Sequence, residues 1–213
     1  FEWIDANEDI LHPDVLRPAG KVALYYPRNS AIFSDFPRAE GVGPSLQEFF
    51  GAGMLLLAEH VPFAVVSDLY NLGDAEFLML PDARCLSDDE AAAVRAFHDF
   101  GGIVIATGKT GSLTAEGSKR NSNALADLAG SQHFLGTRKT FGFRYHKAAS
   151  PSEKNPAKAK KLPRLQRRFR KKILDAAGYS NELSIDAPSN VIFFLDEASS
   201  GYRLSAIDTA ARE

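Results

Sequence analysis

Residues Glu76–Ser112, EFLMLPDARCLSDDEAAAVRAFHDFGGIVIATGKTGS, decide the fold of this 213-residue chain. Two apolar runs in this stretch, Phe77–Leu80 and Ile103–Ala106, predict buried strands, because a strand that is covered on both faces lacks polar alternation. A helix of about three turns fits between the two runs. Strand, helix and strand at this spacing predict one right-handed βαβ unit of a parallel sheet.

The helix between these strands is marked at both ends. Ser87 and Glu90 have the spacing of a capping box, in which the hydroxyl and the carboxylate satisfy backbone N–H groups at the helix start. The pair Gly101-Gly102 predicts its end, because glycine adopts the left-handed conformation at little cost. The buried stripe of this helix is predicted at Ala93, Phe97 and Phe100.

The same alternation of strands and helices extends on both sides of this unit and predicts an α/β fold. We expect a flavodoxin-like, doubly wound, mainly parallel sheet with helices on both faces. The other predicted elements are strands at Val22–Tyr26, Phe63–Val66 and, at the sheet edge, Thr140–Tyr145, helices at Ser45–His60 and Asn123–Ala129, and a long surface loop at Arg28–Pro44.

Three parts of the chain are predicted from changes in composition. Residues 1–18 form a lead-in tail with Trp3 and several acids, which needs a neighbour to pack against. Residues 19–186 form the α/β domain. Residues 187–213 form a C-terminal β-hairpin extension or the start of a second β domain, because two apolar runs flank an Ala-Ser-Ser-Gly turn. The chain begins with Phe1 and resembles a piece of a longer protein.

Composition limits the class of protein. The hydrophobic share of 45% excludes wholesale disorder, and the net charge of −2 gives the whole chain no bias toward nucleic acid or anionic membrane. The single cysteine excludes an internal disulfide and favours a reduced compartment such as the cytoplasm. No apolar run approaches the roughly 20 residues that a membrane-spanning helix needs.

One segment departs from this balanced charge. Residues 147–162 are predicted to form a flexible basic insert, and Arg164–Lys172 a basic helix with apolar anchors at Leu165, Phe169 and Ile173. Such a helix can bind nucleic acid, anionic lipid or a protein partner, but a solvated cationic surface is the simpler interpretation. Acidic residues elsewhere, in this chain or in a second subunit, can supply the compensating charge.

No catalytic constellation is evident. Cys85 precedes a helix, which would lower the pKa of its thiol, but no nearby histidine or acid completes a triad. The triplet Gly108-Lys109-Thr110 lacks the upstream glycine of a P-loop. The five histidines are scattered, so neither a metal site nor a cofactor is predicted.

A ligand site is expected at the carboxyl ends of the strands, where open parallel sheets bind small molecules. The turn after the last strand of the βαβ unit could offer backbone amides to an anion or a sugar hydroxyl. The predicted ligand-binding residues are Arg28, Asp82, Thr107, Gly108, Lys109 and Thr110.

Three segments carry a resemblance to a known family: FEWIDANEDILHP with the following VALYYP, the stretch Phe77–Ser112, and LSIDAPSNVIFFLDEASSGYRLSAIDT. Together they resemble the class I glutamine-amidotransferase-like domain of certain glycoside hydrolases. The most similar version is the trimerisation domain of beta-galactosidases whose catalytic part is a TIM barrel. The resemblance is strongest over residues 22–128 and weak in the basic insert.

The resemblance implies a role without chemistry of its own. True amidotransferases have a GxCxG nucleophile elbow at the position where this chain has Thr107-Gly108-Lys109-Thr110, and Cys85 lies one crossover too early. The glycosidase acids of the family lie in the barrel. The resemblance therefore implies a non-catalytic accessory or oligomerisation domain of a glycoside hydrolase, with the barrel and a β domain of the same longer chain as partners. A stand-alone carbohydrate- or small-molecule-binding module, or a small enzyme, is the alternative.

Overall fold

The computed structural model describes residues 17–18, 20–35, 42–149, 161–180, 191–198 and 201–208. They form a five-stranded parallel sheet with helices on both faces and a small antiparallel sheet. The strands are β1 (Arg17–Pro18), β2 (Val22–Tyr25), β3 (Phe63–Val66), β4 (Phe77–Leu80), β5 (Ile103–Thr107), β6 (Phe134–Thr137), β7 (Val191–Ala198) and β8 (Gly201–Asp208). The helices are α1 (Pro44–Ala58), α2 (Asp88–Asp99), α3 (Phe141–Ala149) and α4 (Leu162–Phe169).

The large sheet has the strand order β3-β2-β4-β5-β6, and every pair in it is parallel. Counted from β2, this is the flavodoxin-like order 2-1-3-4-5. The predicted fold class is confirmed. The carboxyl ends of β2, β4, β5 and β6 therefore meet at one edge of the sheet.

Each face of the sheet covers its own hydrophobic core. Alternate residues of one strand point to opposite faces, so Leu24 and Met79 join the core beneath α1, α3 and α4, while Ala23 and Leu78 join the core beneath α2. All four side chains are buried. Burial on both faces explains why these strands lack polar alternation.

The βαβ unit forms at the predicted places, with one difference on its helix. Both hydrogen bonds of the Ser87–Glu90 capping box are present, and Gly101 takes a φ of 94° after the helix. The predicted buried position Phe100 is wrong, since this residue is 94% exposed and Val94 is buried instead. Phe100 follows the last helical residue, where the chain has already turned away from the helical repeat.

The predicted edge strand Thr140–Tyr145 is wrong. These residues open α3, and the fifth strand is Phe134–Thr137. Phe141 and Tyr145 are both buried and lie four residues apart. Residues at this spacing share one face in a helix and also in a strand, so the pattern does not distinguish the two. Thr137 pairs with Thr107 of β5, and this long-range pairing selects the strand.

Two connecting regions differ from the prediction in their helical content. The predicted loop Arg28–Pro44 includes a π-helical turn at Ser30–Asp35, in which Asp35 is buried and accepts a hydrogen bond from the Ser45 amide at 2.7 Å. The predicted helix Asn123–Ala129 shrinks to a 3₁₀ turn at Ala126–Leu128.

The C-terminal region follows the predicted pattern. After α4 come a π-helical turn at Arg170–Leu174 and a 3₁₀ turn at Asp175–Ala177, which Gly178 ends with a φ of 75°. Strands β7 and β8 form an antiparallel hairpin, and β1 pairs with β7.

The three-part division of the chain stays a prediction. Residues 1–16 and 150–160, which cover most of the lead-in tail and of the basic insert, lie outside the described part, while Lys147 already belongs to α3. None of the described helices is both long and apolar enough to cross a membrane.

Candidate functional site

Asp82 is the centre of the polar groups at the carboxyl edge of the sheet. It lies two residues after the end of β4, is 1% exposed and has a φ of 46°, a conformation that non-glycine residues rarely adopt. Its Oδ1 accepts the Lys109 amide at 2.7 Å, and its Oδ2 accepts two N–H groups of Arg84 at 2.7 and 2.9 Å. Both carboxylate oxygens are thus used inside the protein, so Asp82 ties two turns together.

Thr107 and Thr110 close the same network from the turn after β5. The Thr107 hydroxyl accepts the Asp82 amide at 3.2 Å, and the Thr110 hydroxyl accepts the Ala83 amide at 3.0 Å. Thr110 also donates to a carbonyl of the chain, and both threonines are buried. Their hydroxyls therefore join the turns after β4 and β5.

Gly108 fits this arrangement because of its backbone. It has a φ of 65°, and a Cβ built on it would lie 2.3 Å from Oδ1 of Asp82. Glycine is the residue that meets both conditions, a left-handed conformation and close contact with a carboxylate.

Four backbone amides of this turn have hydrogen-bond partners within the protein. The N–H groups of Lys109, Thr110, Gly111 and Ser112 all donate to acceptors within the described part of the chain. A phosphate would also face the carboxylate of Asp82 across the turn. Of the backbone amides that this turn could offer to an anion or a sugar hydroxyl, these four are therefore already used.

Of the predicted ligand residues, Arg28 and Lys109 are exposed to solvent. Arg28 is exposed, and no hydrogen bond or ion pair joins it to Asp82 or Lys109. The structure brings Asp82, Thr107, Gly108, Lys109 and Thr110 together. Whether these residues bind a ligand stays a prediction.

Glu48 belongs to this network and was not among the predicted site residues. It lies on α1, is 1% exposed, and accepts the Thr107 hydroxyl at 2.8 Å and the Phe143 amide at 2.6 Å. Burial raises its pKa to about 7, although the hydrogen bonds oppose this shift. A single acid in an otherwise apolar helix, LQEFFGAGMLLLA, was the available signal.

Two cavities open beside Lys109. The larger, of about 610 Å³, lies over the carboxyl ends of β5 and β6 and is lined by apolar groups together with Lys109, Arg138 and Asn123. The smaller, of about 340 Å³, lies toward the turn after β2 and includes Lys119. Neither Lys109 nor Arg138 forms an ion pair with a described residue.

The side chains that carry nucleophilic or metal chemistry do not converge here. Cys85 is buried, its amide donates to the Ser30 hydroxyl at 3.0 Å, and burial raises the pKa of its thiol, which is opposite to the expected effect of the helix terminus. Within the described residues no three His, Cys, Asp or Glu side chains are grouped to hold a metal ion.

The fold recurs in a solved beta-galactosidase. The chain aligns with the beta-galactosidase from the psychrophilic Marinomonas ef1 with a TM-score of 0.52 and 15% identity, over 91% of this chain and 36% of that chain. It also aligns with Gan42B, a GH42 beta-galactosidase, with a TM-score of 0.42 and 18% identity, over 50% of this chain and 16% of that one. No protein-family model matches the sequence, and no curated protein matches it.

At 15% identity the likeness shows the fold alone. It confirms, at the level of the fold, the resemblance to a domain of beta-galactosidases. The chain spans about a third of the length of the Marinomonas enzyme. The shared fold is therefore that of one part of a longer glycoside hydrolase.

Proposed function

We propose that this chain is a non-catalytic accessory domain of a glycoside hydrolase. The support is the fold likeness, which extends over 91% of this chain but only 36% of the beta-galactosidase it resembles. The proposed partners of this domain are a catalytic TIM barrel and a β domain, which would occupy the remaining length of the longer chain. The proposed role of the domain is to stabilise an oligomer of that enzyme.

One observation carries the non-catalytic part of the proposal. At the turn where amidotransferases of similar fold place a nucleophile, this chain has Gly108, which has no side chain and faces Asp82. The only thiol, Cys85, is buried one crossover earlier. A glutaminase assay tests this point directly: we expect no ammonia release from glutamine, and activity that Cys85→Ser abolishes would contradict the proposal.

The oligomer role is tested on the longer protein. Light scattering compares the catalytic barrel with this domain attached and the barrel alone, and we expect a larger assembly only with the domain. Hydrolysis of a chromogenic galactoside by both proteins separates assembly from chemistry. A monomeric domain-containing protein contradicts the oligomer role and leaves the fold assignment unaffected.

A second candidate function rests on the cavity of about 610 Å³ beside Lys109. Its apolar walls with two unpaired cations suit a small ligand that has hydroxyl and carboxylate groups, such as an acidic sugar. Calorimetric titration with galactose and galacturonate tests it. Loss of binding in Lys109→Ala, but not in Lys119→Ala, which lines only the smaller cavity, supports this function. Equal binding in both variants contradicts it.

A further inference from the structure

The charge of this chain is strongly divided along the sequence. Residues 138–172 hold 14 of the 25 Lys and Arg residues and one of the 27 Asp and Glu residues, so this segment has a net charge of +13 and the remainder of −15. The balanced total of −2 therefore conceals two opposite regions. Opposite charges on one chain favour contact between the regions that hold them.

The described part of the basic segment forms a groove between α3 and α4. Its cavity measures about 400 Å³, with Arg144 and Lys147 on the α3 side and Lys161, Arg164 and Arg168 on the α4 side. All five side chains belong to exposed residues. Among the described residues, no acidic side chain lines this cavity.

The basic groove continues into a smaller cavity that shares Arg144 and Arg168 and adds Lys139 and Lys172. None of these cations forms an ion pair with a described residue. By contrast, the neighbouring Arg170 pairs with Glu59, the residue after α1. A row of unpaired cations at this density repels itself, which an anionic occupant would relieve.

The chemistry of the basic groove favours carboxylates on a peptide. Guanidinium groups bind carboxylates through two parallel hydrogen bonds, and Leu165 and Ala148 supply apolar contact beside them. Phe143 is the aromatic residue in the lining, and the Lys147 ammonium already lies 5.3 Å from its ring centre. The ammonium therefore competes with a nucleic-acid base for one face of this ring.

One segment of the chain has the complementary composition. Residues 1–14, FEWIDANEDILHPD, contain five acids and no Lys or Arg, with apolar residues between the acids. They lie outside the described part of the structure. The segment leads to Arg17–Pro18, which forms β1 and pairs with β7. Strand β7 contacts α1, and α1 packs along α3, which forms one wall of the basic groove. Fourteen residues reach up to roughly 45 Å, enough to span these helices.

We propose that the acidic segment 1–14 docks in the basic groove between α3 and α4. The carboxylates pair with the arginines on both walls, and an apolar residue of the segment contacts Leu165. Because the segment is tethered to the same chain, its effective concentration at the groove is of millimolar order, so modest contacts suffice. This contact joins the beginning of the chain to its basic segment and is independent of the proposed oligomer role.

Trp3 is the only tryptophan of the chain and lies in the acidic segment, so its fluorescence reports docking directly. The test compares the intact chain with the double variant R144E/R168E. We expect the Trp3 emission to shift to the red, toward that of a solvated indole, in this variant. Salt at 1 M, which shortens the Debye length to about 3 Å, should produce the same shift in the unaltered chain.

The matched control is R167E/K171E, which reverses two charges in the same stretch that do not line the groove. Its Trp3 emission should equal that of the unaltered chain. Far-ultraviolet circular dichroism verifies that both variants are folded. An emission that is unchanged in R144E/R168E, or that moves equally in both variants, overturns the proposal.

Zero-length carbodiimide crosslinking locates the contact. We expect crosslinks within one chain between acids of residues 1–14 and Lys147, Lys161 or Lys172, identified by mass spectrometry. Crosslinks found only between two copies overturn docking within the chain and assign the groove to a second subunit. Binding of a labelled single-stranded oligonucleotide that depends on Arg144 and Arg168, without any change in Trp3 emission, also overturns it.

Discussion

The Asp82–Arg84 pair at the carboxyl edge of the sheet is largely buried, whereas the cations of the basic groove are exposed and have no ion-pair partner among the described residues. At the carboxyl edge, Asp82 and Arg84 are largely withdrawn from solvent and bonded to each other, and both oxygens of Asp82 are used. In the groove, Arg144 and Arg168 are exposed and have no described partner. From the sequence, we expected a ligand site at the first region and a solvated cationic surface at the second.

The difference shows how to interpret polar residues at a position where related folds bind ligands. A buried charge whose hydrogen bonds are all made within the protein supports structure, because moving it toward a ligand would break those bonds. An exposed cluster of unpaired cations can bind an anion without breaking hydrogen bonds made within the protein. The position in the fold therefore favours the carboxyl edge as a ligand site. The presence of charged groups without a described ion-pair partner favours Lys109 and the basic groove.

The largest expected effect is that of Asp82→Ala. This change leaves the partly buried Arg84 guanidinium and the Lys109 amide without their acceptor, so we expect a loss of about 3–5 kcal/mol in the free energy of unfolding. Urea denaturation measures it. The control is Asp127→Ala, which breaks the exposed pair with Arg95 and should cost less than about 1 kcal/mol. Equal losses of unfolding free energy in the two variants would show that the buried pair at the carboxyl edge contributes no more than an exposed one.

The second prediction concerns pH. The pKa of Glu48 is raised from 4.5 to about 7 in the folded chain, so the folded state holds this proton more tightly than the unfolded state. This contribution to stability is fully present below pH 4.5 and is lost as the pH rises to about 7, a change of about 3 kcal/mol.

The test of Glu48 compares urea denaturation of the unaltered chain and of Glu48→Gln between pH 4.5 and 7.5. The difference in unfolding free energy between the two proteins should change over this range and become constant above it. A difference that does not vary with pH would show that Glu48 is charged in the folded state throughout, and the carboxyl edge would then contain one more buried charge.

The third prediction separates contact from backbone strain. Gly108→Ala places a Cβ 2.3 Å from Asp82 at a φ of 65°, and we expect a loss of about 2–3 kcal/mol in unfolding free energy. Gly73→Ala is the matched control, since Gly73 has a φ of 56° and no atom within 4 Å of the added Cβ. It should cost about 1 kcal/mol. Similar costs for both would mean that the turn after β5 can move away from Asp82.

The smallest effect is expected at exposed cations outside the groove. Arg167→Gln and Lys171→Gln remove charges that have no described partner, so each should change the unfolding free energy by less than about 0.5 kcal/mol. Thermal denaturation at low and high salt measures this. A loss as large as that of Asp82→Ala would show that these side chains have a partner, which would remove the contrast between the two regions.

The sequence predicted the local features of the fold because their causes are local. The capping box needs residues three apart, and the helix stop at Gly101 needs one glycine. The error at Thr140–Tyr145 came from a pattern that serves a helix or a strand equally, and pairing with β5, about 30 residues earlier, decides between them.

The candidate site was predicted in part for the same reason. Thr107, Gly108, Lys109 and Thr110 are consecutive at the end of a predicted strand, so the sequence indicated their position. The position of Arg28 depends on the conformation of a loop, which the sequence did not indicate. Glu48 was missed because its partners Thr107 and Phe143 are 59 and 95 residues away. The sequence could show the division of charge, but it could not show that α3 and α4 place the cations around one groove.

By itself the sequence determined the parallel βαβ architecture, the helix ends and the absence of a cysteine in the turn after β5. Each of these depends on neighbouring residues or on the period of apolar side chains. The tertiary structure decided which polar residues are engaged. Packing of α1 and the two strand ends encloses Glu48, Asp82 and Thr107 in a saturated network, while the cations of α3 and α4 stay exposed. The physical reason is that hydrogen-bond saturation is a property of groups brought together from distant parts of the chain.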